Sequence, residues 1–497
     1  MEETDWQVGE EIVIAPTDWY NNQAETRIIT AVEGVKIGFA EPLEFKHFSE
    51  APEFGGIEIP MRGEVGMMTR NVLFRGDPVI SPADMYGAHI MLHSEGDDSS
   101  IARIEWIEIK DGGQAFKLGR YPIHMHMIGN VHKSYVHGNA VHQTYNRAFT
   151  THGVHYFRVT NNIAFDTKGH TFFIEDAIET NNYYDHNLAI QVKKSNSLLG
   201  TDQSPGGFWI TNADNILTNN AIAGTDAYAY WYDMQTTAVG PSYDPNICPE
   251  YVKLGEFRDN TAHSTKKYGL RIFHALIPRT YPCAASPYDP DYEENGYDDP
   301  YWQNPKIPAI FENLVAWKCG RNGAISERTG AVQFHDFKVA DNGIAGMEYS
   351  AIKDLGTYGY AKVVGGVTVG NTGLNDDDNI LAQKTLHGVV GPRDEWFGVE
   401  DTMFFNYNQE GRASTALGTC SHCWHPAATD SGGRTYYVKN LQIDDATVPI
   451  RIHWNVPYRE IILDLDGSLT GLGANSWATF YYPHLMQPEC QLSMEVH

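Results

Sequence analysis

Three short stretches of alternating residues lie in register across residues 123–175: Ile123-His124-Met125-His126, Phe149-Thr150-Thr151-His152 and Phe172-Phe173-Ile174-Glu175. Equivalent positions recur after 26 residues, His126 to His152, and again after 23, His152 to Glu175. A strand pattern repeating at that period cannot bury its apolar face within one repeat, so successive repeats must stack on one another. The spacing predicts an all-β solenoid, a parallel β-helix running from about Val72 to Gly471 with coils in the low twenties.

Alternate side chains of a strand face opposite sides. With Ile123, Met125, Phe149, Thr151, Phe172 and Ile174 inside, His124, His126, His152 and Glu175 share the outer face. Coils stack about 4.8 Å apart, so His126, His152 and Glu175 form a column with His124 two residues along the same strand. Imidazole nitrogen and carboxylate oxygen at that spacing suit a divalent transition metal such as zinc, iron or nickel. The competing readings are a hydrogen-bonded ladder on a solvated face and direct acid–base or sugar-binding use. A retaining glycosidase would need two carboxylates about 5–5.5 Å apart. Glu175 and Asp176, as neighbours on one strand, are expected to face opposite ways, unless a turn displaces Asp176.

The formal charge of −27, from 36 basic and 63 acidic residues, repels nucleic acid, anionic membranes and acidic polysaccharides unless a local patch reverses the field. No nucleic-acid partner is expected. No run approaches the roughly 18 apolar residues of a membrane span, and residues 1–6 carry no signal-like region, so no membrane insertion by this stretch is expected. The 46 glycines and alternating apolar runs describe a folded, turn-rich body. Six cysteines, Cys248, Cys283, Cys319, Cys420, Cys423 and Cys490, permit three disulfides, and Cys248 with Cys283 is the pairing expected to staple the segment after Asn246-Ile247-Cys248. Cys420-Ser421-His422-Cys423-Trp424-His425 alternatively matches half of a zinc site, with no second such half following. No Asn-x-Ser/Thr acceptor occurs, which is unusual for a long secretory chain rich in Asn.

Along the chain, residues 5–77 read as short strands separated by Gly, Pro and Asn. From Val72 each strand with its turn leads directly into the histidine stretch. Downstream, Asn-containing strands recur at 161–169, 186–192, 218–226, 258–264, 311–320 and 337–346, where Asn and Gly serve coil corners. Residues 282–308 and the acidic run Asn375-Asp376-Asp377-Asp378-Asn379 are expected to protrude as loops. Asp464, Asp466 and Ser468 alternate before a Gly turn; they form either a calcium site or an Asx-type turn.

In residues 5–77, Trp6, Gly9, Ile12, Thr17, Leu43, His47, Gly63-Glu64-Val65 and Arg70-Asn71 resemble the second half of an eight-glycine module. Nearly the whole remaining chain resembles the fibrocystin and fibrocystin-L family. GRYPIHMH, HQTYNRAFTTHG, IAFDTKGHTFFIEDAIE, FWITNADNILTNNAIAG, PSYDPNICPE, LGEFRDNTAHS, AVQFHDF, CSHC with GGRTYYVKNL, and DLDGSLTG carry the likeness. A more distant similarity reaches transmembrane protein 2 and the cell-migration-inducing hyaluronan-binding protein. The resemblance implies a right-handed parallel β-helix ectodomain, extracellular or on a ciliary or cell surface. It implies three parts: 1–77 the half-module, 78–400 the β-helix repeats, and 401–497 the terminal coils and cap. Its fibrocystin branch implies a non-enzymatic structural or interaction scaffold, and its hyaluronan branch a polysaccharide-binding or polysaccharide-degrading protein with a His/Glu metal site. Implied partners are other extracellular chains, supplying the first coils that a half-module lacks, and a glycan.

Overall fold

The computed structural model describes residues 4–96, 99–197, 200–285, 304–350, 360–374, 385–392, 397–408, 414–419, 434–451 and 460–479. Among these, three long parallel sheets of 12, 13 and 12 strands run along the molecule. Each coil gives one strand to each sheet, as Ile123–Asn130, Tyr135–His137 and Ala140–His142 do before Phe149–His155 returns to the first sheet. Ile123 pairs with Phe149 and Phe149 with Phe172, while His126 pairs with His152. This is the register that the alternation predicts, in a right-handed parallel β-helix.

Side chains of like kind stack because equivalent positions repeat one coil above another. Phe149, Phe172, Phe208 and Tyr230 form one interior stack, with ring centroids 4.9, 4.5 and 5.5 Å apart, close to the spacing favoured by offset aromatic pairs. The Asn-containing strands hold a second stack. Asn139, Asn162, Asn187, Asn220 and Asn260 form a buried ladder in which each Nδ2 donates to the Oδ1 of the next at 2.9–3.1 Å. The Asn-Asn pairs divide the work: Asn161, Asn181 and Asn219 take positive φ at the corner, while Asn162, Asn182 and Asn220 turn inward and saturate backbone groups. Sequence offsets along the ladder are 23, 25, 33 and 40 residues. The shortest matches the expected coil; the excess in the others loops out between strands.

The N-terminal part is an antiparallel sheet in the order Lys36–Phe39, Glu25–Glu33, Glu11–Ile14, Val65–Met67. It lies along the flank of the third helical sheet. Val13, Ala15 and Met68 pack on Ile190 and Ala223, and further along Phe48, Ile59 and Met61 pack on Val315, Trp317, Val367 and Val369. The chain passes directly from this sheet into the helix, since Val72–Arg75 pairs in parallel with Ile107–Lys110. At the far end Ser476–Thr479 pairs antiparallel with Glu460–Asp464.

Cys248 and Cys283 are disulfide-bonded as expected, with Cα atoms 5.3 Å apart, and Cys319 is a buried free thiol. The Cys420–His425 segment, Cys490, the acidic run 375–379 and most of the 282–308 excursion lie outside the described residues. Among the described residues no helix is long and apolar enough to cross a membrane.

Candidate metal centre

The strand Ile123–Asn130 carries His124 and His126, and Phe149–His155 carries His152. Ile123, Met125, Phe149, Phe172 and Ile174 belong to the core cluster, which puts the alternate positions His124, His126 and His152 on the opposite face of the sheet. The column is not an open, solvated one. His124 and His152 are 1% and 4% exposed, because the residues before the strand fold back over this face: Tyr121 lies 4.8 Å from the His124 ring and the Gly119 carbonyl bonds its Nδ1. His126 keeps partial access to solvent, beside exposed His93 from the preceding coil.

Glu175 joins the group as expected, its Oε2 3.3 Å from His152 Nδ1. Asp176 overturns an expectation. The strand ends at Ile174 and Ala177 adopts φ +73°, so the chain bends and Asp176 swings back to bring its Oδ2 within 2.6 Å of His152 Nε2. Adjacent carboxylates thus grip one imidazole from both ends.

Nε2–H of His152 donates to the Asp176 carboxylate, and its Nδ1 faces His126 Nδ1 at 3.0 Å and Glu175 Oε2 at 3.3 Å. Nδ1–H of His124 donates to the Gly119 carbonyl at 2.9 Å, leaving Nε2 as an acceptor. His124 Nε2 and Glu175 Oε2 are both buried without a hydrogen-bond partner. A ligand atom from each of His124, His126 and His152 fits within a 4.8 Å group. Two ligands about 2.0–2.1 Å from one ion lie about 2.9 Å apart at a right angle and about 3.35 Å apart at the tetrahedral angle. The 3.0 and 3.3 Å separations fall within that span. The outer nitrogens of His124 and His152 are held by a carbonyl and a carboxylate, the arrangement that orients metal-bound imidazoles.

The electrostatics differ from group to group. Burial pushes the His124 imidazolium down to about 3, so this ring is neutral at neutral pH. Burial also lowers His126, helped by its neighbour His152. For His152 burial pulls the same way, but the Asp176 hydrogen bond and the surrounding carboxylates outweigh it and hold the ring above its ordinary range. Burial raises Glu175, and it raises Glu179 to about 7 although the Gly153 and Asp176 amides donate to that carboxylate.

Asp464, Asp466 and Ser468 sit differently. Asp464 is buried and accepts from the amides of Gly467, Leu469 and Thr470 and from the Thr470 hydroxyl at 2.8–3.0 Å. Asp466 accepts from the Asn440 and Ser468 amides, and Ser468 Oγ from the Leu441 amide. This geometry describes turn closure, the alternative to calcium. Sequence reasoning missed His93, whose register to His126 is hidden by a longer coil, and the Asp176/Glu179 pair, legible only as two acids three residues apart beyond a strand end.

A right-handed β-helix bearing a histidine and carboxylate cluster on its first sheet defines the class, and residues 85–270 match the CEMIP beta-helix family. The chain belongs to the fibrocystin-L and CEMIP family of β-helix proteins. It is 33% identical to human (Homo sapiens) fibrocystin-L over 95% of its own length, and 30% identical to the human cell surface hyaluronidase CEMIP2 over 68%. It is 26% identical over 95% to the human cell migration-inducing and hyaluronan-binding protein. The chain spans 12% of the first of these relatives, 28% of the second and 35% of the third.

Proposed function

We propose that this chain is the glycan-facing β-helix of a cell-surface or secreted protein, and that His124, His126 and His152 with Glu175 hold a divalent transition ion at its glycan site. The observation that carries the reading is His124 Nε2, buried without a hydrogen-bond partner, on the same face as the facing Nδ1 atoms of His126 and His152 and the Glu175 Oε2 that lies 3.3 Å from His152. Leaving such an acceptor dry and unpaired costs about 1–3 kcal/mol, and a cation removes that cost. It also answers the charge problem. A chain of net charge −27 repels an acidic sugar, whereas a divalent ion beside half-open His126 offsets the Glu175 and Asp176 carboxylates locally. The names of the relatives, hyaluronidase and hyaluronan-binding protein, support a glycan as partner. The disulfide supports an oxidising compartment.

Binding within a scaffold is the primary reading. Cleavage is the second, favoured by Glu175, a buried carboxyl whose pKa burial raises, set beside the histidines. A bound ion supplies Lewis-acid polarisation there. Elemental analysis of the purified chain, with binding and turnover assays on neutral and acidic glycans with and without chelator, tests both. The expected result is one tightly held transition ion, lost together with glycan binding in a folded His152→Ala variant. A chain that takes up no zinc, iron or nickel, or whose glycan binding ignores both chelator and His152→Ala, refutes the proposal.

A further inference from the structure

PSYDPNICPE, residues 241–250, takes no part in the sheets. It belongs to a strap that leaves the first sheet after Tyr228–Tyr232 and re-enters the helix at Glu256–Arg258. The strap is firmly built. Two 3-10 turns, Gly240–Ser242 and Pro249–Tyr251, each carry a proline near the start, and Asp244 Oδ1 accepts from the Asn246 amide at 2.8 Å. Ala238 and Glu250 donate their amides to the Ile247 and Gln235 carbonyls, joining its two limbs. Cys248 is bonded to Cys283, and Cys248, Tyr251, Ala275 and Ile277 form a small buried cluster at the base.

Its tip lies on the histidine centre. The Val239 amide donates to the Asp176 carbonyl at 3.0 Å, and Ser242 Oγ lies 3.8 Å from the sulfur of Met127, the residue after His126. Gly240, at φ +61°, sits so close that an added Cβ would meet Asp176 Oδ1 at 2.5 Å. Only glycine combines that backbone with that approach. The strap therefore closes over the carboxylate that grips His152.

We propose that this disulfide-tied strap is the positioning element of the histidine centre. Gly240 and the Val239 amide hold Asp176 on His152 Nε2, and Asp176 in turn keeps Nδ1 turned toward His126 and Glu175. A carboxylate on a bend, with solvent as an alternative, populates many rotamers; the strap leaves it one. The inference rests on the metal reading for its affinity readout and is independent of that reading for the His152 tautomer.

The test uses the oxidised chain with ¹⁵N-labelled histidine, its Gly240→Ala and Asp176→Ala variants, their double variant and the Cys248→Ser/Cys283→Ser pair. Zinc alone is the ligand, titrated against a chelator. The His152 ring signals report the tautomer without metal, and melting of the metal-free chain reports folding. Gly240→Ala and Asp176→Ala are each expected to weaken zinc about 10–100-fold, as loss of an outer partner does, and to lose the Nε2–H signature of His152. The double variant should be no weaker than Asp176→Ala. Gly240→Ala with wild-type zinc affinity and an unchanged His152 signal overturns the inference, and so do fully additive losses. A wild-type chain that binds no zinc sinks the metal reading alone; the strap then stands or falls on whether Gly240→Ala changes the His152 signal. Should Gly240→Ala not fold, the serine pair decides by the same signal.

Discussion

Asn187→Ala should open the β-helix locally, and its size follows from the ladder. Asn187 Nδ2 donates to the Val159 carbonyl at 2.8 Å and to Asn220 Oδ1 at 2.9 Å, while its Oδ1 accepts from the Asn162 amide and from Asn162 Nδ2. Alanine removes all four bonds and deprives the buried Asn162 and Val159 groups of these partners. At about 1–3 kcal/mol for each buried group left unsatisfied, with some relaxation, the loss should total about 3–5 kcal/mol. The corner residue Asn161 gives the contrast. It is exposed at φ +55°, so Asn161→Ala costs only the left-handed preference, about 1 kcal/mol. A solenoid opens coil by coil, so hydrogen exchange resolved by peptide is the right assay. Asn187→Ala should lower protection of the peptide containing Asn162 by more than 100-fold, and Asn161→Ala by less than 10-fold. Equal effects, or unchanged protection at Asn162 in Asn187→Ala, would refute the ladder's role.

Acid should loosen the N-terminal sheet through Glu25. Burial alone would raise this carboxyl, but the Glu44 and Phe45 amides, His47 and Arg27 hold it at about 2. Its folded pKa lies below its unfolded value, so it stabilises the sheet above pH 4.5, and this is lost as pH falls toward 2; Glu25→Gln should remove that dependence from acid titrations of the sheet's melting. Trp317→Ala, deleting a buried ring stacked 4.0 Å on His263 and packed against Phe48, should cost about 3–5 kcal/mol and expose residues 44–64 to limited proteolysis; an unchanged cleavage pattern would contradict the docking. Asp464→Ala removes four acceptor contacts and should lower melting by the same amount in calcium and in chelator. A calcium-dependent rise present in the wild type and absent from this variant would instead establish a cation at that turn.

The alternation of Ile123, Met125, Phe149, Phe172 and Ile174 determined the coil, its register and the shared face of His124, His126, His152 and Glu175. Strand geometry is local, and an apolar face that cannot be buried alone forces stacking, so these features needed no knowledge of distant segments. Cys248 with Cys283 was legible in the same way, as two cysteines flanking the chain around one coil. Burial of the centre was not, because the cover comes from the backfolding Gly119–Tyr121 segment and from the tip of a strap more than sixty residues beyond Asp176. Nor was the role of Asp176. Alternation points it away from Glu175, and only the bend ending the strand at Ile174, with Ala177 left-handed, returns it to His152. The flank docking of the N-terminal sheet, with Phe48 beside Trp317, belongs to the same class. Periodicity states which face of a strand looks outward; what covers that face depends on loops and modules whose approach is set by long-range packing, and only the tertiary structure decides it.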